Sequence, residues 1–244
     1  MSDKIDGQEE CPETGTRETL CPARSSYVTI KLDPLGSVAF TEDDEAATAA
    51  ENLSVKTYVG FVESNRDNGQ TPFQSFEVRM LRPGLPPACP AEFFTADMCI
   101  PVFPNADHPS RAPLQPAPAI PWTNAYHVAS EKVILRVRAA LADETRATAL
   151  SKPERLRLAL ACALDYERQS DSICAASICA ASAGASPASS GSVSSGAEED
   201  SVVWEVTQDP PDTTPWVHMS YDLAGVQELC DPQDFFREIE VVYQ

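Results

Sequence analysis

The chain has 244 residues and a formal net charge of −19, from 37 acidic and 18 basic side chains. The acidity is concentrated at the two ends, because residues 1–54 carry a charge of −8 and residues 169–244 a charge of −12. Phosphate backbones and anionic membrane surfaces would be repelled by both ends, so we expect neither nucleic acid nor a membrane as a partner.

Residues 1–25 are polar, charged and without periodicity, which predicts a flexible acidic arm. A β-rich run at Tyr27–Leu32 follows, and Asp33-Pro34-Leu35-Gly36 has the composition of a turn. With residues 37–40 as the returning strand, this segment predicts a first hairpin. Residues 41–53 are acidic and rich in alanine, which predicts either a short exposed helix or a disordered acidic loop.

Residues 55–62 and 73–81 have the composition of two strands, and Asn68-Gly69 between them favours a hairpin turn. Prolines then recur through residues 82–121, and each removes a backbone donor from a helix or central strand. This stretch predicts either a long loop clamped over the sheet or a linker.

Two helices are predicted next, and together they would form a helical hairpin packed on the sheet. The first covers residues 130–141, and its apolar face would consist of Val133, Ile134, Val137 and Leu141. The second starts at the capping-box pattern Ser151-Lys152-Pro153-Glu154, and its buried stripe would consist of Leu156, Leu160, Ala163 and Leu164.

The C-terminal third changes character twice. Residues 169–200 are rich in serine and alanine and contain a direct Ser-Ile-Cys-Ala-Ala repeat, which is typical of a disordered linker. Residues 201–244 regain tryptophan and phenylalanine, so we expect them to return to the core. They predict a strand at 202–206, a helix that starts at Asp231-Pro232-Gln233-Asp234, and a strand at 239–243 that closes the sheet.

These elements predict an α+β fold in which a mainly antiparallel sheet, built from hairpins, packs against the helical hairpin. The expected organisation is a flexible acidic arm (1–25), an α+β core domain (26–168), a low-complexity linker (169–200) and a C-terminal segment that returns to the core (201–244).

The eight cysteines are interpreted as reduced thiols, because the first residues lack the order of charged and apolar residues that a secretory signal requires. We therefore expect an intracellular protein, cytoplasmic or nuclear. Cys11 with Cys21, and Cys89 with Cys99, are spaced too widely for the ligand pairs of a zinc site. Without a phosphate-binding glycine motif either, we expect no metal and no cofactor.

Catalytic chemistry has weak support in the sequence. None of the three histidines lies in a recognisable catalytic motif. The candidates are Cys99, His108 and His127, since a Cys–His pair assembled in space from Cys99 and either histidine would suit a hydrolase. This is the alternative to a protein without enzymatic activity.

A group of arginines stands out in a chain that is otherwise acidic. As partner-binding residues we predict Arg136, Arg138, Arg146, Arg155 and Arg157. They would contact an anionic protein partner, or they would pair with the protein's own acidic segments. The leading hypothesis is a non-enzymatic protein–protein interaction or accessory protein, with a structural or accessory component of a viral particle as a further alternative. The oligomeric state is left open.

Overall fold

The structure, a computed structural model, describes residues 18–19, 22–66, 73–89, 93–141, 147–183 and 214–243. Its strands are β1 (Glu18–Thr19), β2 (Tyr27–Leu32), β3 (Thr57–Asn65), β4 (Gln74–Met80), β5 (Arg82–Pro83), β6 (Cys99–Pro101), β7 (Pro116–Ala117), β8 (Ala125–Val128), β9 (Lys132–Leu141), β10 (Ala149–Leu150) and β11 (Trp216–Ser220). Its helices are α1 (Pro34–Val38), α2 (Asp44–Glu51), α3 (Lys152–Ala183) and α4 (Pro232–Val242). The α+β class expected from the sequence is therefore present.

Five of the strands form a closed barrel in the order β9–β11–β2–β3–β4, with β4 pairing back onto β9. Neighbouring strands are antiparallel except β11 and β9, which run parallel. β9 closes the ring because residues 132–137 pair with β4 while residues 136–141 pair with β11. Closure leaves these five strands without a long unpaired edge.

Side chains that alternate along the strands fill the barrel. Val28, Ile30 and Leu32 of β2 belong to this cluster, and the other four strands contribute Tyr58, Val62, Phe76, Val78, Met80, Leu135, Val137, Val217 and Met219. Such a period of two is expected for strands with one buried face. α4 adds the fully buried Phe235, whose ring centroid lies 4.9 Å from that of Tyr58.

A second apolar cluster covers the outer face of β2 and β3. Tyr27, Val59 and Phe61 pack there against the proline-rich segment, the tryptophan directly after it and α3, with the contacts made by Ile100, Val102, Leu114, Ile120, Trp122, Leu158 and Cys162. The proline-rich segment is thus a clamp over the sheet, one of the two arrangements expected from the sequence. Its strands β5 and β6 pair with β8 in a small three-stranded sheet.

The first predicted hairpin is absent, because the chain after β2 is helical. Asp33 caps α1 by accepting a hydrogen bond from the Gly36 backbone N–H at 2.9 Å, and Pro34 occupies the first helical position. An Asp-Pro pair suits a helix start as well as a turn. The neighbours of β2 are β3 and β11 instead. α2 lies within residues 41–53, so the helix is the one of the two predicted structures that forms there, and its cap is Asp43.

The first helix of the predicted helical hairpin is also absent, since residues 132–141 form the barrel strand β9. Val133, Leu135 and Val137 alternate as in a strand, while Val133 and Val137 also fit a helical spacing, so the pattern was ambiguous. β-branched residues favour an extended chain, and pairing with β4 on one side and β11 on the other decides the outcome.

Three further differences concern the predicted segments. α3 extends to Ala183, so residues 169–183 of the predicted linker are helical. β1, inside the predicted arm, pairs with β9. Residues 239–242, expected as a strand, belong to α4, because Phe235, Ile239 and Val242 follow a helical spacing toward the core. Most of the arm (1–17 and 20–21), linker residues 184–200 and the strand predicted at 202–206 lie outside the described residues.

Replacing Gly60 of β3 by alanine is expected to destabilise the barrel. A Cβ there would lie 2.4 Å from Val78 Cγ1 and 2.7 Å from Ile30 Cδ1, so these side chains would have to move. Overpacking of this kind costs about 1–3 kcal/mol, which chemical denaturation measures. In the control G225A the new Cβ would lie 3.6 Å from the nearest atom and should change stability by less than about 0.5 kcal/mol. Equal stability of the two variants would contradict the packing described.

Candidate functional site

α3 is fixed to the rest of the protein along one face. Leu158 packs in the outer cluster, and Asp165, seven residues further along, is 3% exposed. Arg111 of the proline-rich segment donates hydrogen bonds from both Nη atoms to the Asp165 carboxylate, one of them 2.6 Å long. At the helix start, Glu154 Oε2 accepts a hydrogen bond of 2.9 Å from the Gln115 backbone N–H. These contacts span about three turns and set the rotation of the helix.

The opposite face of α3 presents leucines to solvent. Leu156, Leu160 and Leu164 are 71%, 59% and 54% exposed and follow one another at intervals of four residues. The exposed residues Ala159 and Ala163 lie between them. We call these five residues the leucine stripe. A contiguous apolar surface on a helix that is otherwise well fixed is typical of a site that binds another protein.

A groove of about 580 Å³ runs beside the leucine stripe, between α3 and the outer surface of β3 and β4. Ala159 and Ala163 line both the stripe and the groove. Tyr166 adds an aromatic side chain that is 72% exposed, and Arg155 lines the groove nearer the start of α3. Stripe and groove are therefore one continuous surface, with an apolar ridge and an adjacent depression.

Arg79 belongs to the floor of the groove and is almost fully buried. Its Nε donates to Glu63 Oε1 at 2.6 Å, and its Nη1 donates to the carbonyl oxygens of Val128 and Ala129 at 2.9 and 2.8 Å. A buried charge is tolerated when it is paired and hydrogen-bonded in this way. Arg79 thus fixes the floor of the groove.

The carboxylates of the groove are paired as well. Lys132 Nζ lies 3.2 Å from Glu63 Oε2 and 3.0 Å from Glu77 Oε1. Burial acts to raise the pKa of Glu77, but the hydrogen bond and the charge of Lys132 outweigh it, so the pKa lies below its usual value. A general acid or base near neutral pH needs the opposite shift. The Glu77 carboxylate is therefore poorly suited to act as a general acid near neutral pH.

The sequence predicted that Leu156, Leu160, Ala163 and Leu164 are buried, and that prediction is wrong because all four are exposed. The helix that would have covered them is β9, which lies in the barrel. α3 instead buries the face that carries Leu158, Cys162 and Asp165. The sequence did contain a signal for two apolar faces. Apolar residues recur at every second position from 156 to 164, and this spacing places them alternately on opposite sides of a helix.

Arg136 is not available to a partner, contrary to the prediction. It lies on β9 with 8% of its surface exposed, and its guanidinium carbon is 4.7 Å from the Phe73 ring centroid and 5.7 Å from that of Trp216. Such stacking on aromatic faces is an intramolecular use of arginine. Arg136 is buried because β9, which carries it, is a strand of the barrel and not a helix on the surface.

Two of the other predicted arginines lie beside the leucine stripe. Arg155 is exposed on α3 at the groove, and Arg157 is exposed on the other side of the stripe. Arg157 also forms an ion pair of 2.8 Å with Glu154 and donates to the Ala112 carbonyl oxygen at 3.0 Å. The side chain of Arg138 and the whole of Arg146 lie outside the described residues.

Cys99 and His127 occupy adjacent strands but project from opposite faces. The register of β6 and β8 pairs Cys99 with Val128 and Ile100 with His127, and side chains alternate along each strand. Burial raises the pKa of the Cys99 thiol to about 12, which removes the thiolate at neutral pH. The structure therefore does not bring these two residues together as a nucleophile and base.

The two candidate histidines are engaged in structural hydrogen bonds. Nδ1–H of buried His127 donates to the Met80 carbonyl oxygen at 3.0 Å, so Nε2 accepts from the Tyr27 hydroxyl at 3.1 Å. Burial and the charge of Arg79 lower the pKa of His127 to about 3. His108 Nδ1 accepts hydrogen bonds from two backbone N–H groups, and burial lowers its pKa as well. The hydrolase alternative gains no support from this geometry.

Within the described ranges, no three histidine, cysteine or acidic side chains are grouped as a metal ion would need. Of the four described helices, none combines the length and the apolar character required to cross a bilayer.

Comparison of the chain with protein-family models, with curated proteins and with solved structures gave no match.

Proposed function

We propose that this protein is a non-enzymatic interaction protein and that it binds another protein through the leucine stripe and the adjoining groove. The observation that carries the proposal is the exposure of Leu156, Leu160 and Leu164 on a helix whose opposite face is fixed to the core. The Arg111–Asp165 pair supports it, because a helix held in this way cannot rotate its leucines inward.

The chemistry of the surface defines the partner that it fits. Leucines spaced by four residues, with alanines between them, suit an amphipathic helix that packs along α3. The groove beside Tyr166 accepts an apolar side chain from that helix, and Arg155 favours an acidic residue next to it. Anchors of this kind dominate binding energy while the surrounding contacts exclude water.

The proposal is tested by photo-crosslinking of the full chain in cells that produce it. A photoreactive phenylalanine analogue at position 160 is expected to form a covalent adduct with a polypeptide on illumination. The same analogue at position 241, which is exposed and apolar on α4, is the matched control and should form none. Adducts at both positions, or at neither, would contradict the proposal.

A second experiment replaces two leucines of the stripe and measures the crosslink from position 160. In the L156E/L164E background, the crosslink from position 160 is expected to disappear, because two charges would be buried in an apolar interface. Loss of a binding anchor costs about 2 kcal/mol or more, which corresponds to roughly a 30-fold weaker affinity. Circular dichroism should show that the variant keeps its fold, since both leucines are more than half exposed. An unchanged crosslink would contradict the assignment of the stripe as the binding surface.

A further inference from the structure

The two ends of the leucine stripe carry charges of opposite sign. Lys152 and Arg155 lie at its N-terminal end, and Glu167 and Asp171 lie beyond its C-terminal end; all four are exposed. Among the described residues, no ion-pair partner is found for any of them, whereas Arg157 and Arg168 of the same helix are paired within the chain. The surface is therefore basic at one end, apolar in the middle and acidic at the other end.

The basic end does not serve the helix itself. Cations in the first turn of a helix oppose its macrodipole, which favours negative charge there. Lys152 and Arg155 occupy that turn in α3 together with one acidic residue, Glu154, which is paired with Arg157. Their placement is explained if they face negative charges on a molecule bound to the stripe.

Two such surfaces placed antiparallel are complementary, because the basic end of each one meets the acidic end of the other. We propose that the partner is a second copy of this chain, bound with the two α3 helices antiparallel about a two-fold axis. The inference rests on the proposed function, because it names the occupant of the same surface. An isologous contact of this type is the commonest way in which identical subunits pair.

The antiparallel register follows from the stripe. An axis between Leu160 and Ala163 places Leu160 of one copy against Ala163 of the other, and Ala159 against Leu164, so large side chains meet small ones. In the same register Lys152 lies opposite Asp171 of the second copy, whereas Arg155 lies opposite Arg168, whose charge is paired with Asp97 and Asp165 of its own chain. Lys152 and Asp171 are about 28 Å apart along the helix at 1.5 Å per residue, and the contact between copies spans this length. Opposed helix dipoles favour the same orientation.

The remainder of the protein permits this contact. α3 faces its own core with Leu158 and Asp165, on the side away from the stripe, so the two cores lie on opposite sides of the helix pair. Two helix diameters of about 10 Å each then separate them. This distance exceeds the Debye length of about 8 Å at physiological ionic strength, so repulsion between charges on the two described cores is largely screened.

Sedimentation of the full chain with two charge-reversed variants tests the proposal. K152E/R155E has two acidic ends and E167K/D171K has two basic ends, and these exposed residues can be replaced without disturbing the core. With increasing concentration in 150 mM salt, the wild type is expected to reach twice its mass of 26.4 kDa. Each variant alone should require at least a tenfold higher concentration, and an equimolar mixture of the two should associate again.

A wild type that stays monomeric, variants that dimerise like the wild type, or a mixture that does not recover would each overturn the proposal. The crosslink from position 160 separates this failure from failure of the proposed function. If the wild type is monomeric and the adduct contains a different polypeptide, the stripe remains a binding surface and only the second copy is excluded. If no adduct forms and the wild type is monomeric, both proposals fall.

Discussion

Lowering the pH from 6 to 5 is expected to reduce the free energy of unfolding by about 1.2 kcal/mol through His127 alone. His127 is fully buried between the Tyr27 hydroxyl and the Met80 carbonyl oxygen, and its pKa is lowered to about 3. Protonation of His127 would place a positive charge in the protein interior, where no solvent stabilises it and where the charge of Arg79 repels it.

The sign of the effect follows from the two pKa values of His127. In the unfolded chain the imidazole takes up a proton as the pH falls through about 6.5, whereas in the folded protein it does so only near 3. The contribution to stability is therefore complete above pH 6.5 and is lost progressively as the pH falls toward 3. Over the whole window the loss amounts to roughly 4–5 kcal/mol, a large part of the stability of an average domain.

Urea denaturation of wild type and H127Q at pH 6 and pH 5 measures this effect. The variant should lose most of the pH dependence in this interval. H108Q is the matched control, because His108 is less completely buried than His127, and this variant should retain most of the pH dependence. Glu131, whose pKa is raised mainly by burial, acts in the opposite direction in all three proteins and cancels from the comparison.

If H127Q does not fold, titration of the His127 ring in the wild type by NMR replaces it. The ring is expected to remain neutral down to the lowest pH at which the protein stays folded. A midpoint above pH 6, or equal slopes for H127Q and wild type, would show that His127 is not held neutral by burial.

Replacing Phe235 by alanine is expected to lower the free energy of unfolding by about 3–5 kcal/mol. Phe235 is fully buried and packs with Tyr58 and with the side chains that fill the barrel. Truncation would remove this apolar surface and leave a cavity that the closed barrel cannot collapse to fill. The loss would be among the largest for any single side chain.

V241A provides the control for Phe235, because Val241 lies on the same helix and is 55% exposed. It should change stability by no more than about 0.5 kcal/mol. Thermal and chemical denaturation of both variants measure the difference. A loss for F235A that is no larger than that for V241A would mean that α4 is not part of the core.

The sequence predicts an element correctly where the contacts that form it join residues close in the chain. The β3–β4 hairpin was predicted from its alternating residues and from Asn68-Gly69, and the two strands pair in the structure. The starts of α3 and α4 were predicted from a capping residue followed by proline. In these cases the relevant contacts join residues that are close in the chain.

Long-range pairing could not be predicted in the same way. Val133, Ile134 and Val137 allow both a helix and a strand, and only contact with β4 and β11 decides for β9. A helix at the position of β9 also gives a wrong prediction for the candidate site. A helical hairpin would have buried Leu156, Leu160 and Leu164, so their exposure followed only from the position of β9.

The position of β11 has a consequence for how the chain acquires its fold. Strands β2, β3, β4 and β9 can associate as soon as residue 141 has left the ribosome, but the sheet that they form has two open edges, β2 and β9. Both edges are covered by residues 216–220, about 75 residues later in synthesis. Contacts so distant in the chain are slow to form, and the exposed edges can pair with other nascent chains in the interval. Dependence on chaperones should therefore be greatest before β11 is made.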